Sequence, residues 1–191
     1  QNGAYNNSTF YIVVKDFMIQ GGSRNGDSTS ATTLQDLDSS KEATEYVIKG
    51  EMAANGFSQN TLRHEEGVIS MARMDYTQLH PTLTKESYNS GSAQFFIMTK
   101  DTPYLNGLYT GFGRVIEGLD IVHKIEEVEL ETEKTSETEE TQQETQSETP
   151  ANPPKIVSVT VETFGVDYGM PETMEPFDQQ NWLYKNYGIQ S

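Results

Sequence analysis

The chain is predicted to be a mainly β protein with short helices, folded as a barrel or sandwich of short strands. Two observations carry that prediction. Runs of β-branched and aromatic residues recur between Phe10 and Ile116, each bounded by glycine or other turn formers. Helical spacing stands out at one place, where Leu119, Val122 and Ile125 follow Gly118. The pattern by itself leaves barrel and sandwich open.

Residues 5–22 read as a hairpin-like pair of strands. Phe10 to Val14 and Phe17 to Ile19 are apolar, Lys15-Asp16 turns between them, and Gly21-Gly22 stops the second. Ser23 to Ser40 is rich in Ser, Thr, Gly and Asp and is expected to be a loop. Tyr46 to Met52 and Gly67 to Ala72 read as strands, and a polar insertion runs from Arg73 to Gly91. Gln94 to Thr99 and Gly111 to Ile116 complete the central strands, with the helix covering the end of the sheet. From Glu126 to Pro154 the chain holds ten Glu and one Lys, nine of its sixteen net negative charges. So few apolar side chains cannot offset the entropy of ordering, which predicts a disordered acidic insertion. Val157, Val159 and Val161 then alternate with polar residues, the pattern of a half-buried strand. The expected organisation is a core over 1–125, the insertion over 126–154, the final strand of the same domain over 155–167, and a tail over 168–191. Phe177, Trp182, Tyr184 and Tyr187 in that tail are expected to pack on the domain surface.

A length of 191 residues suits one domain with a real core. A net charge of −16 argues against nucleic-acid backbones, which need clustered Lys and Arg, and against anionic lipid. No apolar run approaches the ~18 residues of a membrane span. Cysteine is absent, which excludes disulfides and thiolate metal sites and fits a reducing cytosol or exported bacterial proteins. Acidic tracts of this kind occur in exported bacterial proteins, which favours an extracytoplasmic home over the cytoplasm. The chain opens on Gln1 rather than Met, consistent with upstream residues or a removed leader. His64, His80 and His123 are too scattered for a metal site, and Asp75, Asp101 and Asp120 read as turn and cap residues.

Strand alternation puts Gln94, Phe96 and Met98 on one face and Phe95 and Ile97 on the other, while Met18 and Gln20 share a face. Phe96, Met18 and Leu105 beside two glutamines form either an apolar pocket with a few orienting polar groups or plain core, with Gln20 and Gln94 at strand ends.

The ordered motifs carry a resemblance. Phe10 followed by Asp16-Phe17-Met18-Ile19-Gln20-Gly21-Gly22, then His64 to Arg73, Gln94-Phe95-Phe96-Ile97, Leu105-Asn106-Gly107 and Phe112 to Gly118 occur in the order found in cyclophilins, peptidyl-prolyl cis-trans isomerases, and most resemble the bacterial branch. The resemblance implies a cyclophilin-like eight-stranded β-barrel that binds X-Pro peptides in a surface groove. By position, Phe17, Met18, Phe96 and Leu105 would line the proline site, and Gln20, Gln94, Ala72 and Arg73 would contact the peptide backbone. Tyr104 stands where many members have Trp or another bulky residue, and Tyr109 at a position often held by His. The implied catalytic set is Gln20, Phe17, Gln94 and Tyr109, with Met18, Ala72, Arg73, Phe96, Tyr104 and Leu105 binding substrate. No metal or organic cofactor is implied, since the reaction breaks no covalent bond. The implied partners are proline-containing peptides or unfolded protein clients, but no nucleic acid and no membrane span.

Two departures stand out. Ile12 occupies the position of the family's catalytic arginine, so turnover is expected to be weakened and a non-catalytic proline-peptide-binding module or holdase is the alternative. Arg73 and Arg24 read as solvated loop charges, and Tyr11, next to Ile12, is expected to point to the other face. The family also has two strands and a helix before the Phe motif, whereas nine residues precede Phe10 here. The barrel is therefore expected to be incomplete at its N-terminal side, a monomer whose unpaired strand edge allows self-association.

Overall fold

The computed structural model describes residues 3–27, 31–135 and 143–188. Strands β1 (Ile12–Val14) and β2 (Met18–Gly21) form the opening hairpin. Asp16 turns it at φ 56°, the left-handed region that Asp tolerates better than most residues, and Phe17 N donates to Val14 O at 3.1 Å. At Gly22, with φ +87°, an added β carbon would lie 2.6 Å from the Ala93 carbonyl oxygen. Only glycine fits where the chain leaves β2.

After a one-turn helix α1 (Leu34–Leu37) and the two-residue strand β3 (Val47–Ile48) come β4 (Val68–Met71), the short helix α2 (Thr84–Tyr88), β5 (Phe95–Met98), β6 (Gly111–Arg114) and helix α3 (Leu119–Glu126). Five strands make one antiparallel sheet in the order β1-β2-β5-β4-β6.

Alternation divides the apolar side chains between the two faces of this sheet. Phe10, Val13, Ile19 and Ile97 cluster with Val122 of α3, and Ile69, Phe95 and Ile125 pack against them. The other face carries Val68, Phe96, Met98 and Leu105, flanked by Phe17, Met18, Leu62, Ala72 and Tyr109. Burial of each large apolar side chain contributes roughly 1.5–3 kcal/mol, so both faces hold the sheet.

Elsewhere the structure departs from the sequence pattern. The polar loop after Gly22 contains α1 because Thr33 and Asp36 form a capping box, with Thr33 N donating to Asp36 Oδ2 at 2.8 Å. The insertion at 73–91 is ordered by two 3₁₀ turns, Tyr76–Gln78 and Pro81–Leu83, that lead into α2 and bury Leu83. The acidic tract, expected to lack fixed structure, contains β7 (Leu130–Thr135) paired antiparallel with β8 (Gln143–Pro150). Its root is apolar where its middle is not: Val128 and Leu130 pack on the inner cluster and Pro150 is fully buried. Residues 136–142 of that tract lie outside the described ones.

The expected strand over 155–167 is a correction. Only its start pairs: Phe10 N donates to Pro154 O at 2.9 Å, and Ile156 exchanges bonds with Asn7 and Ser8 at 2.7 and 2.8 Å. Beyond Ile156, Val157 and Val161 are 77% and 59% exposed. Alternation makes a strand only beside a partner, and among the described residues no strand runs alongside 157–163. In the tail, β9 (Thr173–Met174) pairs with β3, and Asp178 caps helix α4 (Gln179–Tyr187). Phe177 lies 4.8 Å from the Tyr76 ring and Trp182 5.8 Å from His80, so these two aromatics dock the tail on the insertion. Tyr184 and Tyr187 are exposed.

Candidate active site

Register builds the site. Met18 is opposite Met98, and Gln20 and Ser70 flank Phe96 from the neighbouring strands, so their side chains rise from the same face. Phe17 joins them from the hairpin turn, where its carbonyl accepts from Thr99 N at 3.0 Å. Leu105 ends a 3₁₀ turn tied down by Thr102 N donating to His64 O at 2.8 Å. Ala72 and Arg73 follow β4, and Tyr109 precedes β6.

Phe17, Met18, Phe96 and Leu105, with Gln20, Ala72, Arg73 and Tyr109, line one open cavity of about 100 Å³. That is below the ~300–1,000 Å³ of a pocket enclosing a whole small molecule and suits a single ring-bearing residue. Gln20, Ala72 and Arg73 are shared with an adjoining cavity of about 460 Å³, which Gln94 also lines. Tyr104 sits outside the cavity, 68% exposed, and stacks on Phe17 with ring centres 6.2 Å apart. Of the ten residues singled out in the sequence, eight line this cavity, Gln94 lines the adjoining one, and Tyr104 lies outside beside Phe17.

The polar groups around this cavity are fixed. The Arg73 guanidinium lies 4.3 Å above the Tyr109 ring and 5.2 Å from that of Tyr88, with Nε donating to Leu108 O at 3.3 Å. It is a groove cation held on aromatic faces rather than a solvated loop charge. Arg24 is elsewhere, paired with Asp36 at 2.5 Å. Ile12 faces Gln20 across the hairpin and brings no donor.

Tyr11 was expected on the opposite face, and the structure corrects this. Its hydroxyl accepts from Gln20 Nε2 at 2.7 Å and donates to Gln94 Oε1. Tyr11 precedes β1, where alternation is not imposed; Phe10 and Val13, three residues apart, both enter the inner cluster. His64 was also passed over. Buried beneath the cavity, it stacks on Phe96 with ring centres 6.2 Å apart, meets Tyr109 edge-on at 6.4 Å, and holds Ser70 Oγ at 2.7 Å from Nε2. The signal for it was Ser70, a hydroxyl inside an apolar strand that needs a buried partner. Burial holds the His64 pKa below its ordinary value, with the Asn106 side chain opposing. Among the described residues no group of three or more His, Asp or Glu could hold a metal ion.

The site is thus an antiparallel sheet with a ring-sized apolar cavity and neighbouring amides on its outer face. The description "Cyclophilin type peptidyl-prolyl cis-trans isomerase/CLD" matches residues 1–161, and the chain belongs to that family. Over 162 residues it is 31% identical to peptidyl-prolyl cis-trans isomerase 9 of Schizosaccharomyces pombe, covering 84% of this chain and 20% of that protein. It is also 31% identical to a bacterial relative, a probable peptidyl-prolyl cis-trans isomerase of Brucella abortus, over 85% of this chain and 66% of that one. The chain thus spans about a fifth of the yeast relative's length. The fold matches a cyclophilin type peptidyl-prolyl cis-trans isomerase from Cryptosporidium parvum, solved in the presence of the dipeptide Ala-Pro, with a TM-score of 0.56 and 22% identity over 84% of this chain and 77% of that one. Among the described residues no helix is long and apolar enough to cross a membrane.

Proposed function

We propose that this chain binds X-Pro segments of peptides and unfolded proteins in the cavity at Phe96 and isomerises the X-Pro bond at a rate reduced by Ile12. The observation that carries this reading is the cavity itself: four apolar side chains, Phe17, Met18, Phe96 and Leu105, open to solvent beside the Gln20 amide. A proline ring fits by contact, and the amide groups at the rim would bond the peptide backbone on either side of it.

Rotation about an X-Pro bond is opposed by amide resonance, a barrier of ~18–20 kcal/mol. A groove lowers it by removing water from the bond and by placing donors where charge gathers as the amide twists. Gln20, Arg73 and Tyr109 bring donors to the cavity and Gln94 to the adjoining one, while Ile12 offers none. Losing one preorganised donor lowers rates by ~10²–10³. The same apolar cavity beside Ile12 favours a second reading, a proline-peptide-binding module or holdase without turnover.

A protease-coupled assay on an Ala-Ala-Pro-Phe substrate tests the first reading, with catalysed isomerisation above the buffer rate expected. Folded protein that leaves the rate at the buffer value, yet shifts the Phe96 and Tyr104 resonances on titration with the same peptide, would leave the second reading standing. Absence of binding at millimolar peptide would reject both.

A further inference from the structure

Tyr11 is 4% exposed and lines neither the apolar cavity nor the adjoining one. Its hydroxyl nevertheless joins the two groove glutamines, accepting from Gln20 Nε2 and donating to Gln94 Oε1. Gln20 Nε2 also approaches Gln94 Oε1 at 3.3 Å, closing a ring of three side chains. A primary amide has a donor end and an acceptor end of nearly the same shape, so an isolated glutamine turns either end outward. A hydroxyl that accepts from one amide nitrogen while it donates to the other amide's oxygen ties the two orientations together: here Gln20 turns its nitrogen inward and Gln94 its oxygen.

We propose that Tyr11 is a positioning residue of the groove, locking the Gln20 and Gln94 amides into one mutual arrangement before they meet an X-Pro ligand. The proposal rests on the peptide-binding reading above and adds to it a residue that never touches the ligand. Three features support it. The backbone fixes Tyr11 beside its target, since Tyr11 N donates to Gln20 O at 3.0 Å. Ala72 N donates to Gln94 O at 3.0 Å, so the second glutamine is anchored at its backbone too. Burial raises the Tyr11 pKa, an effect that Gln20 opposes and Asp27 reinforces, so the hydroxyl keeps its proton at neutral pH. On the strand edge where Ile12 supplies nothing polar, amides ordered before binding reduce the entropy lost when a peptide arrives.

Tyr11→Phe keeps the buried ring and deletes the hydroxyl, and two readouts follow. In ¹⁵N–¹H spectra of the free protein, the side-chain NH₂ signals of Gln20 and Gln94 should shift and broaden. Titration with an Ala-Ala-Pro-Phe peptide should give a Kd about tenfold weaker, the size of one net hydrogen bond. In a Gln20→Ala, Gln94→Ala background the same substitution should change Kd by less than about twofold, because both groups through which Tyr11 acts are gone. The proposal is overturned if both NH₂ pairs keep their positions, or if Tyr11→Phe weakens binding equally with and without the two glutamines. Should the wild-type chain bind no peptide, the functional reading fails, and the NH₂ signals alone decide whether Tyr11 orients the amides.

Discussion

Ser70 Oγ lies 2.7 Å from His64 Nε2, and the imidazole it holds forms the layer directly beneath Phe96. The cavity thus rests on a buried polar pair, both members of which are about 1% exposed or less. Ser70→Ala removes one partner and strands the other, which should destabilise the fold by ~1–3 kcal/mol. Thermal unfolding would register the loss. Peptide affinity should fall as well, because the aromatic floor loses its fixed support; an unchanged melting temperature would show that the pair bears no weight.

Two histidines give opposite pH dependences. Burial holds His64 below its ordinary pKa of 6.5, with Asn106 opposing. Below that value the unfolded chain takes up a proton that the folded chain refuses, so His64 weakens the fold as the solution is acidified. His123 is raised by its bond to Glu126, with burial opposing and Glu66 adding. Its contribution is full below 6.5 and fades as pH rises through its higher folded value. His123→Gln should therefore steepen the fall in melting temperature from about pH 7 to about pH 5, and His64→Gln should flatten it. Parallel curves for both variants and wild type would refute this opposition.

Ile12→Arg places a guanidinium across the hairpin from Gln20. If the remaining groove is competent, kcat/KM on an Ala-Ala-Pro-Phe substrate should rise at least about tenfold, towards the ~10²–10³ that one preorganised donor commonly supplies. No gain in a folded variant would place the deficiency elsewhere in the groove.

Among the described residues, none of the β7-β8 ribbon lines either groove cavity. Deleting Thr132 to Thr149 should leave the peptide Kd within about twofold, while some stability is lost because β8 lies along β1. Titration and melting of the same variant separate the two effects. A large loss of affinity at unchanged stability would give the ribbon a place in recognition.

The central sheet and the apolar part of the site were legible because two-residue alternation fixes which face each side chain takes. Phe96 and Met98 parted from Phe95 and Ile97 on that rule alone. It misled at Val157 to Val161, where alternation was present without a neighbouring strand to make it structural. It also misled at Tyr11, which lies one residue before β1 and escapes the strand's periodicity. The acidic ribbon was hidden because its composition gave no sign that Val128, Leu130 and Pro150 would anchor its ends. His64 was invisible to spacing arguments, since its partner Ser70 meets it through the fold's own curvature rather than through any periodic offset.

The clasp between β3 and β9 joins Val47 to Met174 across most of the chain's length with only two residue pairs. Closing so long a span loses entropy before any contact is made, and so short a ladder returns little. The tail should therefore dock last as the chain folds and detach first under mild stress. Amide protons of Thr173 and Met174 would then exchange well before those of Ile19 and Ile97, and a protease would trim the C-terminal helix while the sheet stays whole.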